Sequence, residues 1–396
     1  MWWYQAFRTW CSSHSDWALA LGLVVGLRLW FALWGAGIIL VHGTPIVPNP
    51  PTMYHEITRV PDEGWSLVLA PWQRWDEIWY ERIASLGYAP DDASPSFFPL
   101  FPILSRGVVL ILANNYLAAE LVVSTLATCG AFVLLYRLTA ELVDETTARH
   151  VVVYWAVFPT SFYLFGGYAE SVLALCTLAS LYWARHMRGW RAAFASAGAT
   201  LARPVGFLIA VPLVIEAWNA GSTLRVRARA LIPLVGVMIG LGAWMLYLQI
   251  AFGDALLWMH AEGTWQRVFV IPGQTVLWTA QNILSGQGAV ANNIIDFGLT
   301  VILFVAILAG FRKIPFAFSA YALMMLIVPL LNYAQVGTYA LAPMAAAGRR
   351  AMVVLPAFVA LACSWRGKWR TSLWVIISLT LQVILFLAYV LWLWVD

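Results

Sequence analysis

Apolar stretches alternate with short polar segments over almost the whole chain. The hydrocarbon core of a bilayer is about 30 Å thick and takes roughly 20 residues of helix, so long apolar stretches predict membrane-crossing helices. The pattern therefore predicts an all-α polytopic membrane protein. Its eleven apolar stretches are 17–41, 116–136, 150–167, 169–184, 192–202, 204–220, 230–252, 294–311, 314–333, 351–364 and 372–394.

Clusters of basic residues between these stretches orient the predicted helices. The positive-inside rule places such clusters in the cytoplasm, and the stretches then alternate in direction only if 192–220 is a hairpin. Arg203-Pro204 lies in its middle, and proline disfavours helix continuation. We therefore predict two half-length helices that meet near Arg203 at the outer face, and about eleven spans in a single membrane domain, 1–396. The clusters are Arg8; Arg137 and Arg149; Arg185, Arg188 and Arg191; Arg225, Arg227 and Arg229; Arg312 and Lys313; Arg366, Lys368 and Arg370.

Two large loops face outward in this arrangement, 42–115 and 253–293. The first contains PWQRWDEIWYERIASLGY, whose apolar residues recur at helical spacing and predict a helix lying in the membrane interface. The segment SPSFFPLFPILSRGVVLIL after it predicts a second interfacial or re-entrant helix. In the first helix the apolar face is Trp72, Trp75, Ile78, Trp79, Ile83 and Leu86, and the polar face is Arg74, Glu77, Glu81 and Arg82.

The composition agrees with a membrane protein and excludes an ordinary soluble domain. Apolar residues make up 62% of the chain and charged residues 11%, with a mean hydropathy of +0.77. The net charge is only +4, so a nucleic-acid partner is not expected. The four cysteines lie apart without a CxxC spacing, so neither a metal site nor a disulfide framework is expected.

Asp76 is the first candidate for chemistry. It follows Trp75 among tryptophans at the predicted membrane surface, where the phosphate of a lipid headgroup would lie. A partly desolvated acid in such a position suits a general base. The alternative is a solvated carboxylate on a helix face, since Glu77 and Glu81 are close in sequence, and the sequence leaves both interpretations open.

Glu170 and Arg203 are further candidates at the predicted outer edge of the spans. Glu170 follows Tyr168, and an ionisable group that faces a cavity at the end of a span is a functional candidate. The alternative for Glu170 is an acid favoured by the dipole of the first helical turn. Arg203 lies at the tip of the predicted hairpin, where a lipid phosphate would supply the anion that a guanidinium requires.

The remaining candidates lie near the second outer loop and before the 351–364 stretch. Arg349 and Arg350 form a double basic step on the outer side, against the charge bias of the other clusters, and the alternative is a pair that snorkels to the interface. His260 and Trp265 lie in GDALLWMHAEGTWQR. A lone histidine is more often part of the packing, whereas Trp265 is a candidate wall for stacking a sugar.

Six segments together resemble the PIG-V-type mannosyltransferases of the GT-C membrane glycosyltransferases. They are WDEIWYERIASLGY, SFFPLFPIL, FPTSFYLFGGYAES, LARPVGFL, FGDALLWMHAEGTWQR and GRRAMVVLPAF, in this order, over roughly residues 17–365. The resemblance implies a GT-C fold and places the catalytic acid of a Trp-Asp step at Asp76. Glu77 and the GRR step depart from the family pattern, so the choice between Arg349 and Arg350 for the family's arginine is open.

The resemblance also implies the partners: a polyprenyl-phosphate sugar donor, usually of mannose, a lipid or glycan acceptor, and the surrounding membrane lipids. Asp76 would deprotonate the acceptor, and no metal or further cofactor is expected. The active site would be extracytoplasmic, in the plasma membrane of a bacterium or the endoplasmic reticulum of a eukaryote. Substrate-binding roles are expected for Trp75, Glu77, Tyr168, Glu170, Arg203, His260, Trp265, Arg349 and Arg350.

Two other classes of protein fit the same hydropathy pattern. A transporter or lipid flippase usually places ionisable residues near the bilayer midplane in repeated halves. Here Arg28 is the one charge deep in a predicted span, no internal repeat is visible, and acids gather at one surface, which favours an enzyme. A noncatalytic subunit of a glycan-assembly complex stays possible if Asp76 faces bulk water.

Overall fold

A computed structural model describes residues 14–43, 56–221, 223–265, 267–334 and 342–393 of the chain. Within these residues the protein consists of helices and one two-stranded antiparallel sheet, β1 (Arg267–Phe269) and β2 (Asn332–Ala334), in which Val268 pairs with Tyr333. The α-helices are α1 (Ser15–His42), α2 (Asp76–Leu86), α3 (Leu100–Val109), α4 (Tyr116–Leu142), α5 (Glu145–Ala156), α6 (Glu170–Arg185), α7 (Gly189–Ala202), α8 (Ala210–Asn219), α9 (Leu224–Ala230), α10 (Ile232–Phe252), α11 (Leu257–Ala261), α12 (Gln274–Ser285), α13 (Val290–Gly310), α14 (Phe316–Ile327), α15 (Ala347–Ala351), α16 (Leu355–Ser364) and α17 (Lys368–Val390).

Five helical segments of the described chain are long and apolar enough to cross a membrane: α1, α4, the continuous stretch Leu224–Phe252, α13 and α17. Four apolar helices are shorter: Leu100–Val109, Pro204–Asn219, Phe316–Leu331 and Leu355–Ser364. The protein is therefore a membrane protein by its helices, while the count of eleven spans stays a prediction. The predicted span 150–167 is not one helix, because α5 ends at Ala156, shortly before Pro159 removes a backbone donor.

The hairpin region breaks where proline predicts. Helix α7 ends at Ala202, Arg203 is extended, and a 3₁₀ helix begins at Pro204 and leads into α8. Arg203 is therefore the extended residue that connects the end of α7 to the 3₁₀ helix before α8.

The predicted interfacial helix around Asp76 is shorter than expected. It begins only at Asp76, because Trp75 has a positive φ of 57° that a helix does not accept. The residues before it form a separate 3₁₀ turn, Ala70–Trp72. The hydrophobic spacing across residues 72–75 therefore does not represent continuous helix.

Both predicted faces of this helix are largely buried, and Ile78 and Ile83 on the apolar face are 0% and 3% exposed. Glu77 and Glu81 on the predicted polar face are buried, and Leu86 on the predicted apolar face is 62% exposed. Arg74, just before the helix, is buried as well and donates to backbone carbonyl oxygens, among them that of Val390 at 2.9 Å. Glu81 accepts from Gln73 at 2.8 Å. The polar face can be buried as well, because the interior supplies these partners.

Aromatic rings join α1 and α17 beneath the loop that carries Asp76. Phe31 packs against Trp72, Phe165 and Phe386 with ring centroids 5.8, 5.6 and 5.0 Å apart. Tyr389 donates a hydrogen bond to the carbonyl of Trp72 at 3.1 Å. This cluster fixes the start of the loop, and through it the position of Asp76.

Arg28, the charged residue within the first apolar stretch, makes contacts that connect neighbouring helices. Its guanidinium donates to Thr125 Oγ1 and to the carbonyl of Leu121, at 2.7 and 2.6 Å, both on α4. It also lies over the rings of Trp72 and Phe165 at 5.4 Å. Arg28 therefore ties α1 to α4 and to the aromatic cluster.

Helices α7 and α10 approach closely through small residues. A Cβ on Gly236 would overlap the backbone carbonyl of Ala193, and a Cβ on Gly240 would lie 2.8 Å from the carbonyl oxygen of Ala197. Glycines four positions apart present a bare face that lets two backbones meet, as in membrane helix pairs.

We expect Gly236→Ala to destabilise the protein by about 1–3 kcal/mol, because the added methyl must push α10 away from the α7 backbone. The measurement is thermal or denaturant unfolding in detergent. Gly242→Ala is the matched control: it lies in the same helix and a Cβ there meets nothing within 4 Å. Equal loss in the two variants would contradict the close approach of the helices.

Candidate active site

Four charged side chains meet in one cluster. Arg349 lies in the middle: its Nη1 is 2.7 Å from Asp76 Oδ2, and its Nε is 2.5 Å from Glu170 Oε1. Arg203 forms an ion pair with the same oxygen of Glu170. The structure therefore brings together Asp76, Glu170, Arg203 and Arg349 as alternating acids and bases, which we call the ion cluster.

The ion cluster has a buried part and an accessible part. The side chains of Glu170 and Arg349 are 1% and 3% exposed, whereas those of Asp76 and Arg203 are 28% and 25% exposed. Each buried charge contacts an opposite charge, as burial requires. The two accessible groups are an acid and a base, so a ligand that reaches the ion cluster meets both a carboxylate and a guanidinium.

Asp76 is presented by the backbone in front of it. The positive φ of Trp75 turns the chain sharply, so Asp76 becomes the first residue of α2, where the helix dipole favours a carboxylate. Trp75 itself packs against the ring of Trp392 with centroids 5.0 Å apart. A non-glycine residue in this conformation is strained, and strain of this kind is often found at functional sites.

Arg349 is held by bonds to its neighbour Gly348. The N–H of Gly348 donates to Asp296 Oδ1 at 2.7 Å, and Thr160 Oγ1 donates to the carbonyl of Gly348 at 3.0 Å. Sequence analysis missed Asp296, although an aspartate inside the apolar stretch 294–311 is a visible signal. Asp296 belongs to the support of the site because it fixes the short helix α15.

Tyr168 and Tyr163 lie against the guanidinium of Arg349. Their ring centroids are 4.5 and 5.0 Å from its Cζ, and Tyr168 is fully buried. The hydroxyl of Tyr168 donates to the carbonyl of Arg74 at 2.9 Å. Tyr168 thus supports Arg349 by a cation–π contact and links it to the loop before Asp76.

The structure does not bring Glu77 into the ion cluster. Although it is the neighbour of Asp76, its side chain is fully buried and turns toward Glu120 on α4. Burial raises the pKa of the Glu77 carboxyl well above its usual range, and the negative charge of Glu81 raises it further. Two adjacent acids therefore have opposite surroundings.

Two other predicted site residues, Arg350 and His260, also have partners outside the ion cluster. Arg350 bonds to the carbonyl of Ala345 and lines a small gap between α13, α14 and α15. His260 is exposed, with its Nδ1 2.6 Å from Asp254 Oδ2. Trp265 ends a 3₁₀ helix, and its side chain lies outside the described residues.

The described side chains contain no group of three or more His, Cys, Asp or Glu residues arranged to hold a metal ion. What the ion cluster offers instead is a partly exposed carboxylate beside two fixed guanidinium groups. A guanidinium is a planar donor that suits phosphate and carboxylate oxygens. Chemically, the ion cluster can bind an anion and accept a proton at neighbouring exposed groups.

No family model and no curated protein matches this chain. Among solved structures, the chain is similar to the Archaeoglobus fulgidus oligosaccharyltransferase tethered to an acceptor peptide containing the NVT sequon, at 13% identity and a TM-score of 0.48. It is also similar to AglB, an archaeal oligosaccharyltransferase from the same organism, in complex with an inhibitory peptide and a dolichol-phosphate, at 14% identity and a TM-score of 0.46. The matches cover 97% and 96% of this chain but only 56% of each of those chains.

We expect Arg349→Met to destabilise the protein by about 3 kcal/mol, because it leaves the buried Glu170 carboxylate with one cation instead of two. The measurement is unfolding by denaturant in detergent. Arg106→Met is the matched control, an exposed arginine on α3 whose loss is expected to change stability by at most about 0.5 kcal/mol. A stability like that of the control would show that Arg349 is not the centre of the ion cluster.

Proposed function

We propose that this protein is an inverting glycosyltransferase. It moves a hexose, by the family resemblance a mannose, from a polyprenyl-phosphate donor to a lipid or glycan acceptor at the extracytoplasmic face of a membrane. One observation carries the proposal: the partly exposed carboxylate of Asp76 and the partly exposed guanidinium of Arg203 belong to one ion cluster, joined through buried Arg349 and Glu170.

Asp76 is proposed as the general base. Its Oδ2 accepts from Arg349, and no hydrogen bond to its Oδ1 occurs among the described residues, so Oδ1 is the oxygen that takes the proton. A base must reach the proton it removes at hydrogen-bond distance, and the 28% exposure of this side chain allows an acceptor hydroxyl to approach.

The proposed reaction is a single displacement at the sugar. The acceptor oxygen forms a bond to C1 of the sugar while its proton passes to Asp76, and the bond between C1 and the phosphate oxygen breaks. The bonding pair leaves with polyprenyl monophosphate. Attack from the face opposite the leaving group inverts the configuration, so a β-linked donor gives an α-linked product.

Arg203 is proposed to contact the leaving phosphate, and buried Arg349 to add positive charge behind it. Negative charge on the phosphate grows as the bond to C1 breaks, and donors fixed beside it favour the transition state over the ground state. Glu170 accepts from both guanidinium groups and holds them in one place. Metal independence is part of this proposal, since Arg203 and Arg349 supply the positive charge that a phosphate requires.

The buried residues of the site are proposed to act in support. Tyr168 and Glu170 have no surface for a sugar hydroxyl, being 0% and 1% exposed, so we assign them to the placement of Arg349. Trp75 keeps its proposed role in shaping the substrate site, because it precedes Asp76 directly in the chain.

We expect Asp76→Asn to fold and to insert into membranes but to lose sugar transfer by about a hundredfold or more, because an amide does not take a proton from the acceptor. The assay follows transfer from purified polyprenyl-phosphate mannose to membrane acceptors by mass spectrometry. Glu63→Gln, an exposed acid in the same loop, is the control and should keep full activity. Full activity of Asp76→Asn would remove Asp76 from the role of base.

We expect Arg203→Ala to lower kcat by about 10²–10³ and to weaken inhibition by free polyprenyl phosphate, because the leaving group loses a fixed donor. The measurement is the inhibition constant in the same transfer assay. Arg106→Ala, which removes an exposed arginine on α3, should leave it unchanged. An unchanged inhibition constant in Arg203→Ala would assign Arg203 a purely structural role.

A further inference from the structure

Two buried carboxyl groups meet directly behind the ion cluster. Glu77 on α2 and Glu120 on α4 are both fully buried, and both press against the bare Cα of Gly167. A Cβ on Gly167 would lie 2.5 Å from Glu77 Cγ and would overlap the carboxyl of Glu120. Glycine at position 167 therefore makes room for the two acids, which we call the acid pair.

The interior around the acid pair offers few hydrogen-bond donors among the described residues. All four carboxyl oxygens are buried and lack a well-aligned hydrogen bond from a donor of the described residues. The two carboxyls lie against each other beside Gly167, and the backbone of Arg74 acts as a further, weaker donor toward Glu77. An ionised carboxylate is an acceptor only, so a bond between two carboxyls requires a proton on one of them. Two carboxyl groups in contact within a buried site cannot both be ionised, because their negative charges repel each other.

The charges around the acid pair favour keeping that proton. Glu81 on α2 faces Glu77 and opposes its ionisation, and burial brings the pKa of Glu81 to about 7. Arg74 before α2 acts in the other direction, though less strongly than burial. Tyr389 of α17 also faces Glu77. Burial and the negative charge of Glu81 therefore outweigh Arg74 and favour the protonated form of the acid pair.

The acid pair joins three segments that build the ion cluster. Glu77 follows Asp76 in the first turn of α2, Glu120 belongs to the second turn of α4, and Gly167 lies three residues before Glu170. A change in the distance between Glu77 and Glu120 therefore moves the backbone segments that carry Asp76 and Glu170.

We propose that Glu77 and Glu120 share a proton, and that this proton holds Asp76 and Glu170 at the spacing the reaction needs. Glu120 is then a positioning residue that acts through Glu77. The effect on the rate of transfer rests on the proposed function, whereas the shared proton itself does not. Loss of the proton places two carboxylates in contact and forces α2 away from α4.

The test compares an amide with a methyl group at position 120. In Glu120→Gln the amide donates to Glu77 without needing a shared proton, so kcat at neutral pH should stay within about threefold of the wild type. In the wild type, kcat should fall at alkaline pH as the acid pair loses its proton. In Glu120→Gln this fall should occur at a higher pH or disappear. Glu120→Ala should lose about a hundredfold at every pH, because the spacing of the reacting groups is lost.

The unfolding temperature should follow the same pattern. A carboxyl whose pKa is raised in the folded state stabilises that state below its unfolded pKa, and this stability is lost as the pH rises through the folded pKa. We therefore expect the wild type in detergent to lose stability toward alkaline pH, and Glu120→Gln to lose less. Glu141→Gln is the matched control, an exposed acid on the same helix, and should show the wild-type profile.

Infrared spectroscopy gives the third readout. The wild type should show C=O bands of protonated carboxyls at neutral pH. Glu120→Gln should lose the component that comes from the acid pair and keep the component of Glu81, whose pKa is about 7. Wild-type pH profiles and an unchanged band in Glu120→Gln would overturn the shared proton. A shifted unfolding profile with an unshifted kcat profile would overturn the positioning role. If the wild type transfers no sugar, the proposed function fails, and the spectra and unfolding profiles still decide whether the proton is shared.

Discussion

The buried guanidinium of Arg349 is the constraint on which the rest of the site depends. A charge that is 3% exposed is too costly to bury unless acids contact it. Its partners are Glu170 and Asp76, and Asp76 lies 273 positions away in the chain. The loop before α2, the start of α6 and the short helix α15 must therefore meet at one point, and the fold is arranged so that they do.

The four residues of the ion cluster differ in solvent exposure, and this difference indicates different roles. The interior pair, Glu170 and Arg349, is packed against tyrosine rings and serves to fix geometry. The outer residues, Asp76 and Arg203, are the groups that solvent or a ligand can reach. Fixing charges before the ligand arrives avoids reorganisation during the reaction, which is the main source of electrostatic catalysis.

Much of this arrangement was predictable because hydropathy and charge pattern report on helices and on unusual ions. The apolar stretches, the helix break before Arg203 and the four members of the ion cluster all stand out in the sequence. Helical spacing indicates that residues share a face, but it does not say how much of the polar face is buried, so the burial of Glu77 and Glu81 was not predicted. The contacts of Glu120 and Asp296 were missed because an acid inside an apolar stretch has no partner nearby in sequence.

Asp76 and Glu77 illustrate why position in the fold matters more than position in the chain. Consecutive residues of a helix point in directions about 100° apart, so one acid faces Arg349 and the other faces Glu120. A carboxyl that contacts a cation is stabilised in its ionised form, whereas two carboxyls in contact need a proton between them. Neighbouring acids in unlike surroundings are a general way to separate a base from a proton holder, and the two roles that we propose for Asp76 and Glu77 follow this principle.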